Sequence, residues 1–325
     1  MNIPATELKQ TIHNICLAYT NQQVSNIIAD KTVLAEQMGI PTHGVHYFLH
    51  AILPHLEQGN IYTLDTTING NIIRANGHGG IGYYNLQQCL VKGSHLAQTY
   101  GMSTILLNHP GKVGALRVFC QEFMDIGQLI IMTKNTARTM GTHQTRDAAI
   151  GTNPLCIGLP DTKFIYDASM STVATNTIRL ANKTGKTFNT NIGINRHHQP
   201  TCIPEDLHYL LPFSEEFWYK SFFLGVAIEG LAALSGGRTG ARVGEHQSDR
   251  LFSHEGMFIF IMDHSAIPEY QHYQQEVAQL LEDLKAYGLR VPGDYIPSNS
   301  LDIYRRDLKE LLNIASNHTM RGDRH

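Results

Sequence analysis

The sequence predicts an α+β fold, with a mixed-sheet central domain inserted in a helical domain built from both termini. Three observations lead there. Helical periodicity gathers at the two ends of the chain, short strand-like runs alternate with helical ones between them, and the one glycine pattern that would mark a Rossmann domain lacks its partner residues. The chain has 325 residues, 42% hydrophobic and 16% charged. That supplies apolar material for a sizeable core at a charge too low for disorder.

Residues 4–38 read as helical. Pro4-Ala5-Thr6-Glu7 is a helix start, and Ile12, Ile15, Leu17, Val24, Ile27 and Ile28 repeat at helical spacing. Gly39-Ile40-Pro41 breaks the pattern, and a second helix over 42–58 carries Val45, Phe48, Leu49, Ile52, Leu53 and Leu56 before Gly59 ends it. Residues 66–75 alternate like a strand. A helix over 83–100, a strand over Ser103–Leu107, a helix over 113–126 and a buried strand over Gln128–Met132 follow. Pro154–Leu159 and Lys163–Asp167 read as a strand pair, and 172–183 as helix. Residues 189–206 are polar and read as an exposed loop. The apolar stretch 217–235 holds the single tryptophan, Trp218. A polar loop over 240–255, a strand over Met257–Met262, amphipathic helices over 269–287 and 299–315, and a frayed tail from Ser316 complete the order.

Gly77-His-Gly79-Gly80-Ile-Gly82 matches GxGxxG between a predicted strand and a predicted helix. A dinucleotide fold also needs an acidic residue roughly 20 residues further on to hold the ribose. No Asp or Glu occurs between Asp65 and Glu122. The Rossmann reading is therefore rejected, and the glycines are read as a turn.

The formal net charge is −3, with no basic excess for nucleic acid. No run approaches the roughly 20 apolar residues of a membrane helix, and MNIPATELKQ has no leader pattern. Five scattered cysteines without a CxxC pair read as reduced thiols of a cytoplasmic protein. His43, His46 and His50 share one helix face. Without HExxH or a carboxylate within a turn, no metal is expected.

Met38-Gly-Ile-Pro-Thr42-His43-Gly44-Val45-His46-Tyr47 is the most informative stretch. It resembles the S-H-G-V-x-R segment of the type 2 malate/L-lactate dehydrogenase family of NAD(P)-dependent oxidoreductases. Further pieces follow in order: Leu56-Glu-Gln-Gly59-Asn-Ile61, Asn108-His109, Gly151-Thr152-Asn153-Pro154, Asp167-Ala168-Ser169, Val173-Ala174, Leu211-Pro212 with Tyr219-Lys220, Gly256-Met257-Phe258 with Asp263, and Arg290-Val-Pro292-Gly293-Asp294. The resemblance implies a homodimer with NAD or NADP bound near the subunit interface. It also implies reduction of a C=O or C=N bond of a small 2-oxo or cyclic imino acid. Residues 1–74 and 265–325 would then form the helical domain, and 75–264 the α/β cofactor- and substrate-binding domain.

Hydride reduction needs a proton donor beside the accepting heteroatom, and an imidazole suits this near neutrality. His43 is the expected acid, and the Thr42 hydroxyl, where the family has serine, the group that orients it. Tyr47, Thr152, Asn153 and Thr175 are the expected substrate-binding residues. The resemblance places His109, Asp167, Ala168, Ser169, Lys220, Arg290 and Gly293 at the cofactor. A lysine in the apolar stretch around Trp218 is costly to bury unpaired, which favours a bound partner for Lys220.

Some family positions are changed. The arginine that would clamp a substrate carboxylate falls on Tyr47, and a phenol cannot copy its planar bidentate pairing. Either Arg138 or Arg179 replaces it, or the substrate is not a simple 2-oxo acid. The family's glycine and carboxylate beside the histidine fall on Asn176 and Thr177. These changes leave a second reading open, a redox-impaired member acting as a binding or pathway-accessory protein.

Overall fold

The computed structural model describes residues 1–59, 64–214, 216–244, 254–293 and 299–322. Ile61 and Asp294 of the sequence motifs, and most of the loop expected over 240–255, lie outside the described residues.

The chain opens with β1 (Asn2–Pro4), α1 (Ala5–Leu17) and α2 (Gln22–Gln37). The single helix expected over 4–38 is thus two. Asn21 makes the break by capping α2, its side chain accepting the Val24 N–H at 3.0 Å. The expected helix over 42–58 is also subdivided. A 3₁₀ turn (Pro41–His43), α3 (Val45–Tyr47), a π-helical turn (Phe48–Ile52) and α4 (Leu53–Glu57) follow one another. Residues 65–76 form a hairpin, β2 (Asp65–Asn69) and β3 (Ile72–Asn76), because Gly70 turns the chain at φ +57°. Next come α5 (Gly82–Tyr100), β4 (Met102–Asn108), a 3₁₀ turn (Leu116–Phe119), α6 (Gln121–Met124) and β5 (Gln128–Lys134). The strand pair is β6 (Leu155–Gly158) and β7 (Ile165–Ala168), and α7 spans Thr175–Thr184.

The expected exposed loop over 189–206 instead contributes β8 (Gly193–Asn195) and β9 (Pro200–Thr201), which join β10 (Leu207–Leu210) in a small antiparallel sheet. The polar composition misled because Ile192 and Ile194, both buried, anchor that sheet. The chain closes with α8 (Trp218–Leu234), β11 (Gly256–Asp263), α9 (Tyr270–Ala286), β12 (Ser300–Asp302) and α10 (Arg305–Gly322). The tail expected to fray from Ser316 is therefore helical to Gly322.

Seven strands form one mixed sheet in the order β2-β3-β4-β11-β5-β6-β7. Only β3 and β4 pair in parallel; every other neighbour is antiparallel. A doubly wound dinucleotide fold would need a run of parallel strands, so the architecture is α+β and not Rossmann. The termini meet: β1 pairs β12, and the buried residues of α1 and α10 share one core with the sheet. The boundary expected between residues 74 and 75 falls inside β3, and both strands of the hairpin belong to the seven-stranded sheet. No helix among the described residues is long and apolar enough to cross a membrane.

The rejected glycine pattern has a packing role. A Cβ on Gly77 would meet the Asn85 amide and the His109 carbonyl, and one on Gly82 would collide with the Lys112 backbone. The first turn of α5 is thereby pressed against the loop that follows β4. Gly82→Ala must push that loop aside. The expected cost is that of overpacking, roughly 1–3 kcal/mol, read as a lower urea midpoint at unchanged slope.

Candidate active site

One cavity of about 290 Å³ lies between the 40–47 segment, the loop after β4, the ends of β5 and β7, and the first turns of α7. His43 stands on it, in the 3₁₀ turn before α3. The turn is fixed from behind. A Cβ on Gly44 would collide with the Glu36 carboxylate, and that carboxylate accepts the Val45 N–H at 2.7 Å. Burial pushes the Glu36 carboxyl up to about 7, against the pull of the Val45 amide, with Asp307 adding to the rise.

Both His43 nitrogens have partners. Thr42 Oγ1 lies 3.1 Å from Nδ1, and Asn176 Nδ2 lies 3.1 Å from Nε2. Arg179 Nη1 donates to Asn176 Oδ1 at 3.2 Å, which fixes the amide's orientation. Asn176 therefore donates to Nε2, and Nδ1–H donates to the Thr42 oxygen. Burial, the Arg117 charge and His46 depress the imidazole to about 4. At neutral pH His43 is an uncharged acceptor at Nε2.

Tyr47 is buried beside it, with ring centroids 5.6 Å apart, and stacks on Tyr83. Burial pushes the phenol well up, so it stays protonated. Around these neutral groups the lining is strongly charged. Lys134 pairs with Glu255, both buried. Asp167 accepts the Arg117 backbone N–H at 3.1 Å and its Nε–H at 3.4 Å. Burial raises the Asp167 carboxyl, while Arg117 opposes the rise. Lys112 and Arg179 complete the cationic side.

Of the residues singled out in the sequence, Thr42, His43, Tyr47, Thr152 and Thr175 border this cavity, and so do Asp167, Ala168 and Ser169. Arg290 and Gly293 border a neighbouring cavity of about 180 Å³, and Arg117 borders both. Three others fall elsewhere. Asn153 is buried and its amide is spent inside the protein: Oδ1 accepts the Thr136 N–H, and Nδ2 donates to Gly225 O and Glu229 Oε1. Lys220 is exposed at the start of α8, its ammonium 5.0 Å from the Phe217 ring. The argument from a buried lysine therefore fails, because the stretch keeps only one face of α8 in the core. His109 turns at φ +45° and meets His254, Nε2 to Nδ1 3.3 Å; it lines neither of these two cavities, although its N–H donates to the Glu255 carbonyl.

A carboxylate does reach the histidine face, from far along the chain. Asp307 arrives from α10, and His46 Nδ1 lies 3.0 Å from its Oδ2. With His50 these place three ligand-type atoms within 4.8 Å of one another. Each group has a protein partner already, since Lys183 donates to His50 Nε2 at 2.7 Å.

Sequence reasoning missed Lys112, Arg117, Lys134, Asn176 and Glu255 as site residues. Lys134 had a visible signal, a lone cation closing the apolar run of β5. Asn176 had none beyond its position in a divergent motif.

A sequence profile of the malate/L-lactate dehydrogenase family matches residues 3–299. The chain belongs to that family. It is 24% identical over 320 residues to an L-sulfolactate dehydrogenase of Methanothermobacter thermautotrophicus, covering 93% of this chain and 90% of that one. It is 22% identical over 316 residues to a Δ1-pyrroline-2-carboxylate/Δ1-piperideine-2-carboxylate reductase of Pseudomonas syringae pv. tomato, covering 91% of each. Its fold matches the malate dehydrogenase of Entamoeba histolytica with a TM-score of 0.86 over 98% of both chains at 18% identity. As a member of this dehydrogenase family the chain is an oxidoreductase.

In this member of the malate/L-lactate dehydrogenase family the group on His43 Nε2 is the neutral amide of Asn176, which cannot stabilise an imidazolium as a carboxylate would. NMR titration should accordingly show His43 neutral at pH 6 and protonating near 4. Because the ordinary value is near 6.5, the neutral ring contributes stability above that pH, lost as pH falls toward 4. Asn176→Asp should move the His43 midpoint upward, and an unmoved midpoint would contradict this account.

Proposed function

We propose that the chain is an NAD(P)H-dependent oxidoreductase of a small 2-oxo or cyclic imino acid, with His43 as the proton-transferring residue. The observation that carries this is the His43 Nε2 lone pair, held by Asn176 at the edge of a cavity lined with cations. We place the enzyme in the cytoplasm, which its five free thiols support.

The residues suit a nicotinamide dinucleotide by the chemistry of their donors. Arg117 stands between the two cavities, and Arg290 borders the outer one together with Gly293, giving cations for phosphate groups. Asp167, Ala168 and Ser169 would stand along the same group. When bound, the nicotinamide supplies or takes the hydride. Every proton then falls to the protein. In the oxidative direction substrate displaces the Asn176 amide from His43 Nε2, and Nε2 then accepts the proton of the substrate hydroxyl, with Thr42 holding Nδ1–H. In the reductive direction Nε2 must first be protonated, and an anionic substrate alongside favours that charge. Thr152 and Thr175 offer hydroxyls to the substrate, and Tyr47 a neutral phenol. In this proposal the helical unit, 1–74 with 265–325, supplies the proton-transfer wall of the cleft, and 75–264 supplies the wall of cations.

His43→Ala should lower kcat by about 10²–10⁴-fold, the usual contribution of general acid–base catalysis. Cofactor affinity, read by nicotinamide fluorescence with NADH and with NADPH, should hardly change. Folded protein that shows no calorimetric heat with either cofactor at millimolar concentration would favour the accessory reading instead.

We also propose a homodimer. The buried side of α8 is Ser221, Gly225, Ile228, Glu229 and Ala232, and its other side exposes Tyr219, Phe223, Leu224, Val226 and Leu234. A helix apolar all round calls for a second covering surface. Sedimentation at micromolar concentration should give twice the chain mass, and Phe223→Glu with Leu234→Glu should halve it.

A further inference from the structure

The cations of the cavity are not equivalent. Lys134 has Glu255, and Arg117 has Asp167. Lys112 and Arg179 have no carboxylate partner among the described residues. Arg179 gives one N–H to Asn176 and keeps the rest of a five-donor fork. The Lys112 ammonium has no hydrogen-bond partner among the described residues, although burial, with Lys134 and Arg179 nearby, disfavours its charge and only Glu255 favours it. An unpaired, partly buried ammonium lowers stability unless something else pays for it.

The backbone under Lys112 is fixed. Gly111, at φ +83°, lets the loop pass against the Gly80 carbonyl, and Gly82 lets the start of α5 close on the Lys112 peptide. Arg179 is set by α7, one turn beyond Asn176 and Thr175. Both cations border the cavity that His43 borders, and Arg179 reaches the imidazole's partner Asn176, so a ligand held by them shares the cavity with the imidazole. Arg138, the other cation considered for the carboxylate, lies 3.6 Å from Asp147 and does not border the cavity.

We propose that Lys112 and Arg179 are the specificity-determining residues of this cleft, and that together they select a small acid carrying two anionic groups, with the reacting carbon between them. The proposal rests on the oxidoreductase reading for the reaction but not for the binding. One cation alone would serve a monoanion such as pyruvate. Two on one cavity of this size leave one charge unpaired with a monoanion and none with a dianion.

The test uses the full chain and the variants Lys112→Met, Arg179→Met, Lys112→Arg and Arg179→Lys. Calorimetry with malonate as dianionic probe and acetate as monoanionic probe requires no turnover. Wild type should bind malonate more tightly than acetate. Each Met variant should lose about 10- to 150-fold of malonate affinity, the range for one charged hydrogen bond, and the charge-preserving variants should recover part of it. Where turnover is measured, each Met variant should raise KM for oxaloacetate by a similar factor without a matching loss of cofactor affinity, and Arg179→Met, which also frees the Asn176 amide, should in addition change kcat. Lys112→Met should also raise the melting temperature of the unliganded protein, which checks that it folds. Selective malonate binding without turnover on any substrate would uphold the clamp and sink the redox reading. Turnover of oxaloacetate unaffected by either Met variant would sink the clamp and leave the redox reading standing. A Lys112→Met variant that loses cofactor affinity instead would overturn the clamp, assigning Lys112 to the cofactor.

Discussion

The floor of the cleft depends on one buried carboxylate. Glu229, on the core face of α8, accepts from Asn135 Nδ2 at 2.9 Å and Asn153 Nδ2 at 2.9 Å, and from the Gly151 and Gly240 amides at 3.4 and 3.2 Å. A buried carboxylate is tolerated only when its oxygens are satisfied. Here four donors from three separate segments satisfy it. The two segments that border the cavity, the end of β5 and the turn before β6, are thereby tied to the same helix. Lys134, Thr136 and Thr152 take their positions from that tie. Asn153 belongs to this tie as well, so its part in the site is indirect: it holds Thr136 and Thr152 in place through bonds that face away from the cavity.

The opposite wall is held by a second carboxylate with a different balance. Burial, with Asp307 adding to it, disfavours the charge of Glu36 against the support of the Val45 amide, where the charge of Asp167 is partly supported by Arg117. Gly44 is required there because the Glu36 side chain occupies the space a Cβ would fill. The His-Gly-Val sequence is therefore one mechanical unit. The glycine admits the carboxylate, the carboxylate holds the following amide, and the turn so fixed presents His43 to the cavity. The same economy explains the glycines at 77 and 82, which serve close packing of α5 on the loop after β4 rather than a dinucleotide.

The fold class was legible because it rests on local patterns: helical periodicity at both ends, short strands between, and a glycine motif missing its acid. Errors arose where one residue decides a boundary. Asn21 splits α1 from α2, and Gly70 turns one expected strand into two. The sheet at 193–210 was hidden because only Ile192, Ile194 and their neighbours are apolar in a polar stretch. Within the site, residues of one contiguous motif were readable, as Thr42 and His43 show. Those joined only by topology were not. Asp307 reaches His46 across 261 positions and Glu255 reaches Lys134 across 121, and no local pattern announces either meeting. Lys220 failed for another reason: apolar neighbours in sequence do not bury a residue when the helix exposes a second apolar face.

The divergent positions form a connected set. Tyr47 presents a buried neutral ring and so offers no cation from that side. Asn176 sets an amide on the ring's Nε2 and also binds Arg179, while burial, Arg117 and His46 keep His43 neutral. The imidazole thus stands between a neutral phenol, a hydroxyl and an amide. A histidine so placed has its protonation governed by the charge of whatever lies in the cavity. The ring is uncharged in the free protein, so on the proposed reading proton transfer is coupled to occupancy, because an anion held by the two cations favours the protonated form.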